Sequence, residues 1–297
     1  MASDLGGYTG TSNRMVMDPL ASGTGGITLF ASTSDNAYTQ NPSSQSWVER
    51  RDFNAGMVNL SLDRYIYSVS TGMPMPPTAH LKIGLVAAGT RGIEARDSRG
   101  YYAGDLTDTE MTYYLAFSNR FTDRLSFGLS FKLLSKQLSS EEDWLDLKGS
   151  GFGAGVGVTY KATKGGTLAI AIKDWNAAYK WKTQDVFERG GSYQDVFPMS
   201  LAYGWHQNLG LVSLAVEHDH FFIGEDIFRA AVLFQGLKEL KLNAGASLED
   251  GNILPGVSAR YDFTLRGGAT RIHIDLGISG GAPHEGLRNY LGWGMDF

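Results

Sequence analysis

Glu217-His218-Asp219-His220 places two carboxylates and two imidazoles in four residues, the ligand types that a transition metal takes. On a strand, neighbouring side chains point to opposite faces, so at most two alternate members can share one ion. Two imidazoles on an aromatic rim beside Phe221 and Phe222 fit the run equally well, and no metal site is expected. Glu141-Glu142-Asp143 with Asp146, and Asp105 with Asp108, group carboxylates that suit calcium or, through divalent ions, lipopolysaccharide; a solvated acidic loop accounts for them too. Gly151-Phe152-Gly153-Ala154-Gly155-Val156-Gly157 imitates a phosphate loop, but no helical period follows to supply the helix amino terminus that such loops need. Its glycines are better suited to close approach of other chain segments. There is no Cys, no Gly-x-Ser-x-Gly elbow, and no His in a short motif with Ser and an acid. Neither an enzyme nor a cofactor is expected.

A second set of chemically competent residues recurs with a period of two. Lys132, Lys173, Glu217, Asp219, Arg229, Lys241, Arg260, Asp262, Arg271, His273 and Asp275 all fall on the face opposite large apolar side chains. Both signs of charge are mixed, which suits cross-strand ion pairs that stiffen a lumen; a selectivity filter is the alternative.

The elements that must carry these residues are strands. Leu125-Ser126-Phe127-Gly128-Leu129-Ser130-Phe131-Lys132-Leu133 alternates strictly. So do 152–160, 168–173, 212–216, 240–246, 257–263 and 272–278, and a run in which Phe197, Met199, Leu201, Tyr203 and Trp205 share a face. With 52–61, 63–72, 78–89, 107–118, 225–234 and the carboxyl-terminal run, about fourteen strands are expected. That last run sets Leu291, Trp293, Met295 and Phe297 on one face, and Trp293, Met295 and Phe297 form the expected signal to the barrel-assembly machinery. Longer connections near 90–106, 137–149 and 175–193, where Trp144, Trp175 and Trp181 lie, alternate with short ones at 119–122, 163–166, 207–210 and 235–238. A barrel whose termini are periplasmic has its longer loops outside.

Composition agrees. The 297 residues are 42% hydrophobic and 19% charged, with no apolar run long enough for a spanning helix, so a membrane-resident chain of this kind must be a barrel. Gly 38 against Pro 8, with 14 Tyr and 15 Phe, suits strands with small inward side chains and aromatic rims. A net charge of −5 without basic runs excludes nucleic acid as a partner. Met1-Ala2-Ser3-Asp4 lacks the basic start and apolar run of a secretory signal, as expected of a mature or re-engineered amino terminus. Residues 1–50 are rich in Gly, Ser, Thr, Asn and Asp around an apolar patch at Ile27-Thr28-Leu29-Phe30, and are expected to fold into the lumen of a barrel formed by 51–297.

Asp18-Pro19 through Gly25-Gly26, then Ala31-Ser32-Thr33-Ser34-Asp35-Asn36-Ala37-Tyr38 and Asn41-Pro42-Ser43, resemble the amino-terminal pattern of the superfamily that holds FadL-type transporters and their shorter PorV/PorQ relatives. The usual pattern runs from a Gly/Ala-rich stretch through an Ala-Asp-Asp-Ala-like run to Asn-Pro-Ala-Gly-Leu. This chain departs from it with Ser-Asp-Asn-Ala and Asn-Pro-Ser-Ser. The resemblance implies a fourteen-stranded, monomer-competent outer-membrane barrel occluded by an amino-terminal hatch, to which Asn41 and Pro42 carry over and to which Ile27, Leu29 and Phe30 are added as a pocket edge. It implies either sideways passage of small hydrophobic molecules into the bilayer, as in the FadL type, or the docking of secreted or surface proteins in type IX secretion, as in the PorV type. Membrane lipids and lipopolysaccharide are the expected surroundings.

Overall fold

Large side chains alternating with small ones become the two faces of a wall. The computed structural model describes residues 8–140, 142, 144–183, 191–265, 270–281 and 285–297. Its strands are β1 (Asp52–Asn59), β2 (Arg64–Met75), β3 (Ala79–Arg96), β4 (Tyr102–Arg120), β5 (Leu125–Ser140), β6 (Asp146–Thr163), β7 (Gly166–Lys182), β8 (Ser192–Val196), β9 (Ser200–Asn208), β10 (Val212–Phe221), β11 (Glu225–Phe234), β12 (Leu240–Glu249), β13 (Asn252–Thr264), β14 (Arg271–Gly280) and β15 (Leu287–Asp296). Each pairs antiparallel with its neighbours, and β1 meets β15 from Asp52↔Asp296 to Asn59↔Asn289. The chain is thus a closed antiparallel transmembrane barrel of 14 strands. β8 is the supernumerary strand: it pairs with Ala178–Lys182 of β7, while β9 pairs with Gly166–Lys173 of the same strand. Together β8 and β9 make one broken stave.

In β5, Phe127, Leu129, Phe131 and Leu133 are exposed, whereas Ser126, Gly128, Ser130 and Lys132 are buried. The same holds at the carboxyl terminus, where Leu291, Trp293 and Phe297 are exposed and Met295 is half-buried. An exposed apolar face on a closed ring of strands suits hydrocarbon, because the ladders β1 to β15 leave little backbone to be hydrated, the free side of the short β8 excepted.

Two expectations need correction. The connections near 90–106 and 137–149 are mostly strand, with β3 running on to Arg96 and β5 to Ser140. These extensions are held by polar side chains, such as Lys136 with Asp108 at 3.1 Å and Gln137 with Asp146 at 2.8 Å, so the apolar alternation that marks the lower strand is missing from them. Trp175 likewise lies within β7 and not in a loop, and residues 184–190 lie outside the described residues. The expected common face of Phe197, Met199, Leu201, Tyr203 and Trp205 breaks near its start: Phe197 precedes β9 and is buried, whereas Tyr203 is exposed.

Residues 9–48 occupy the inside of the ring as short helical turns, among them Pro19–Gly23 and Pro42–Trp47. They fit because the wall turns small residues toward them. Ile27, Leu29 and Phe30 pack on Ala169, Ala171, Ala202, Ala215 and Ala231. A Cβ at Gly157 would fall on the Asn41 side chain, and one at Gly128 on the Ser43 backbone nitrogen. Gly157→Val therefore overpacks this contact, with an expected cost of about 1–3 kcal/mol. The check is a lower unfolding temperature in detergent, with faster tryptic cleavage after Arg14.

Candidate functional site

Asn41 is fully buried and ties the amino-terminal segment together. Its fixed, extended conformation is the one favoured before proline, with Pro42 opening the next helical turn. The amide donates to the Leu29 carbonyl at 2.8 Å and to Thr159 Oγ1 at 3.1 Å. Its Oδ1 accepts from the Ser43 hydroxyl at 2.7 Å. Ser126 of the wall then donates to the Ser43 carbonyl at 3.0 Å.

The charged residues of the inner face are paired. Arg229 reaches Glu217 at 2.9 Å and Asp219 at 3.5 Å, and Lys173 is bonded to Asp219. Lys132 is bonded to Asp174. Arg260 binds Asp275 at 2.6 Å and also Asp35 of the amino-terminal segment, with His273 3.6 Å from both carboxylates. Lys241 meets Asp262 at 3.1 Å, and Arg271 meets Asp296 at 3.4 Å with both side chains partly exposed. Asp35, His273 and Asp275 converge closely enough to hold a cation, but the Arg260 guanidinium already bridges the two carboxylates. Of the acidic run at 141–143, Glu141 and Asp143 lie outside the described residues.

Further bonds tie the segment to the wall and to itself, some of them through residues such as Glu110 and Asp18 that the alternation does not single out. Glu217 accepts from the backbone nitrogens of Thr28 at 2.9 Å and Leu29 at 3.0 Å. Glu110 accepts from Ser12 at 2.5 Å and from Asn13 at 2.8 Å. Asp18 caps Pro19–Gly23 through the Ala21 nitrogen at 2.8 Å, and also accepts from the Ser34 hydroxyl and the Asn36 nitrogen. Burial, with Asp35 nearby, pushes the Asp18 carboxyl up to about 6. In Asp35 the Arg260 guanidinium, with His273, outweighs burial and holds the carboxyl well below the usual range.

A cavity of 230 Å³ lies between the segment and the wall, where Met15, Val16, Phe221 and Ile227 share the border with the charged Arg14, Lys173, Asp174, Asp219, Arg229, Glu249, Glu285 and Arg288. A cavity of about 150 Å³ with an apolar lining holds benzene, so the size here admits one aromatic ring, on the apolar side of a mixed lining. At its edge the wall is interrupted. The ladder of β7 with β9 ends at Lys173↔Ser200, and that with β8 begins at Ala178↔Val196. Between them Asp174 and Asn176 take positive φ, 58° and 54°, which costs an L-residue strain but is least unfavourable for Asn and Asp. Opposite stand Phe197, Pro198 and Met199; Pro198 has no N–H to donate. Lys132 holds Asp174, which is buried, and Trp175 is exposed. Two Asx residues and a proline inside alternating runs are the sequence signal for this break.

Solved structures share this architecture. The Pseudomonas putida toluene transporter TodX aligns over 95% of this chain and 98% of its own, with 13% identity and a TM-score of 0.65. CymD, a monoaromatic hydrocarbon channel, aligns over 96% and 98% with 12% identity and a TM-score of 0.70. The fold is that of FadL-type barrels. A Pseudomonas aeruginosa FadL homologue aligns over 94% and 97% with 11% identity and a TM-score of 0.60. No protein-family model matches the sequence, and no curated protein matches it.

Two tests address this interior. Glu217→Gln weakens a buried ion pair and its grip on Thr28 and Leu29. We expect a loss of about 3–5 kcal/mol, measured by urea unfolding, part of it regained when Arg229→Met removes a cation left with Asp219 alone. For Asp18 the folded-state value is raised, so the fold holds this proton more tightly than the unfolded chain does. The associated stability is present below about pH 4 and is lost as pH rises through about 6. Asp18→Asn keeps the cap without the ionisation. Its gain over the unsubstituted chain is expected to be about 3 kcal/mol at pH 8 and near zero below pH 4, read from unfolding at each pH.

Proposed function

We propose that this chain is an outer-membrane channel for small hydrophobic molecules of about monoaromatic size. Its termini are periplasmic, and residues 9–48 act as a hatch pinned through Asn41 and Pro42. The observation that carries the proposal is the 230 Å³ cavity set against the interruption between β7 and the β8–β9 stave. A molecule in the cavity faces Met15, Val16, Phe221 and Ile227 on its apolar side. Asp174–Asn176 and Phe197–Met199 offer a stretch of wall that fewer cross-strand bonds hold shut. The likeness to TodX and CymD supports the same reading. The inward charges, paired as they are, act in this reading as struts that keep the barrel's shape.

The test straightens the wall. Asn176→Val with Pro198→Val supplies strand-forming residues and a donor N–H at the break. Uptake of radiolabelled toluene into proteoliposomes is expected for the unsubstituted protein and to fall toward the empty-liposome level for the folded double variant. Equal uptake by both overturns the sideways route, and no uptake by either overturns transport.

A docking role of the PorV type is the second reading. Tyr101, Tyr102, Trp144 and Tyr193 are exposed at the end of the wall away from the carboxyl terminus and favour it. Crosslinks from these positions to a secreted or surface protein in cells would support it over transport.

A further inference from the structure

The outward face of β10 and β11 carries a polar group that the lumen does not use. His218 and His220 are two residues apart on a strand and share its outer face, while Asp226 lies opposite His220 in register. His218 Nε2 stands 2.8 Å, and His220 Nδ1 2.9 Å, from the same oxygen, Asp226 Oδ1. The three lie beside the 222–224 hairpin, next to an apolar hollow lined by Leu168, Val216 and Leu248.

The His218 ring is held on both sides. Its far nitrogen, Nδ1, lies 2.7 Å from the Tyr203 hydroxyl. Its plane stacks on Phe228 with centroids 4.2 Å apart and planes 2° from parallel. A fixed imidazole with a hydrogen-bonded far nitrogen and an inward-aimed near nitrogen is how proteins orient a metal ligand. The other two ligands can adapt, because the His220 and Asp226 side chains are 42% and 40% exposed.

We propose that His218 Nε2, His220 Nδ1 and the Asp226 carboxylate form a site for a divalent transition metal of the zinc class. A fourth position is left open to the exterior. Two imidazole nitrogens with one carboxylate select zinc-like ions over calcium or magnesium, which take oxygen ligands. The metal would sit between His218 Nε2 and the present place of the Asp226 oxygen, about 2.0–2.1 Å from that nitrogen, and His220 and Asp226 would rotate to close on it. Each neutral imidazole moves its proton to its far nitrogen, and Tyr203 Oη accepts the one from His218. The apolar hollow excludes water from one side and strengthens the coordination.

The experiment uses full-length protein without a histidine tag, folded in detergent and stripped with EDTA. Titration with Co²⁺ is expected to give one equivalent with the intense visible bands of a tetrahedral ion, displaced by Zn²⁺. His220→Gln and Asp226→Asn are expected to abolish the bands, Tyr203→Phe to weaken affinity about tenfold, and His273→Gln to leave it unchanged. Absence of binding by the unsubstituted protein overturns the proposal. So does binding that survives both His220→Gln and Asp226→Asn, or that is lost in His273→Gln alone.

Discussion

Facing hydrocarbon, a sheet can leave no backbone hydrogen bond open, and the meeting of β1 with β15 closes the ring, with only the short β8 paired on one side alone among the described residues. The rest of the molecule follows from that closure. A ring of fourteen staves encloses more space than its own inward side chains fill, so the interior needs other matter. Here it is residues 9–48, whose own backbone and hydroxyl groups then need partners away from bulk water. Glu110, Glu217, Ser126 and Thr159 of the wall supply them. Buried carboxylates in turn require cations, and Arg229 and Arg260 provide them. A requirement at the membrane face is thereby passed inward through the wall to the amino-terminal segment.

The same logic explains the break beside the cavity. A closed ladder resists opening everywhere except where its bonds are already missing. Asp174 and Asn176 on one strand and Pro198 on the other remove those bonds without removing a stave, since β6 still pairs with β7 on the far side, with its own register shifts near Ala154. The buried Lys132–Asp174 pair keeps the distorted segment in one conformation.

Much of the barrel is legible in the sequence because a wall between hydrocarbon and a packed interior forces a period of two, as at 125–133. The upper parts of β3 to β6 are not legible, since large apolar side chains such as Ile93, Leu106, Leu138 and Leu147 stand singly among polar and small ones and no regular contrast marks the period. The inward position of Lys173 or Asp275 can be read from its neighbours, but its partner cannot: Lys173 finds Asp219 on another strand, and Asp275 finds Arg260. Asn41 and Pro42 stand out as a pair, yet the Thr159 that receives the Asn41 amide is 118 residues away. The interruption at 174–177 reads as a loop, because Asp and Asn signal a turn whether or not a strand resumes beyond them.

The staves are unequal in length: β4 has 19 residues and β1 has 8. At about 3.3 Å per residue and a tilt near 40°, they rise roughly 48 Å and 20 Å, against an apolar band about 25 Å tall. The rim is therefore cut obliquely, like a quill. Neighbouring lipids and proteins meet a palisade on the β3–β7 side and a low sill on the β1 and β15 side. In a crowded membrane the barrel thus has a front and a back. Lateral neighbours therefore meet different heights of wall on different bearings, set by the azimuth of the molecule and not by its depth.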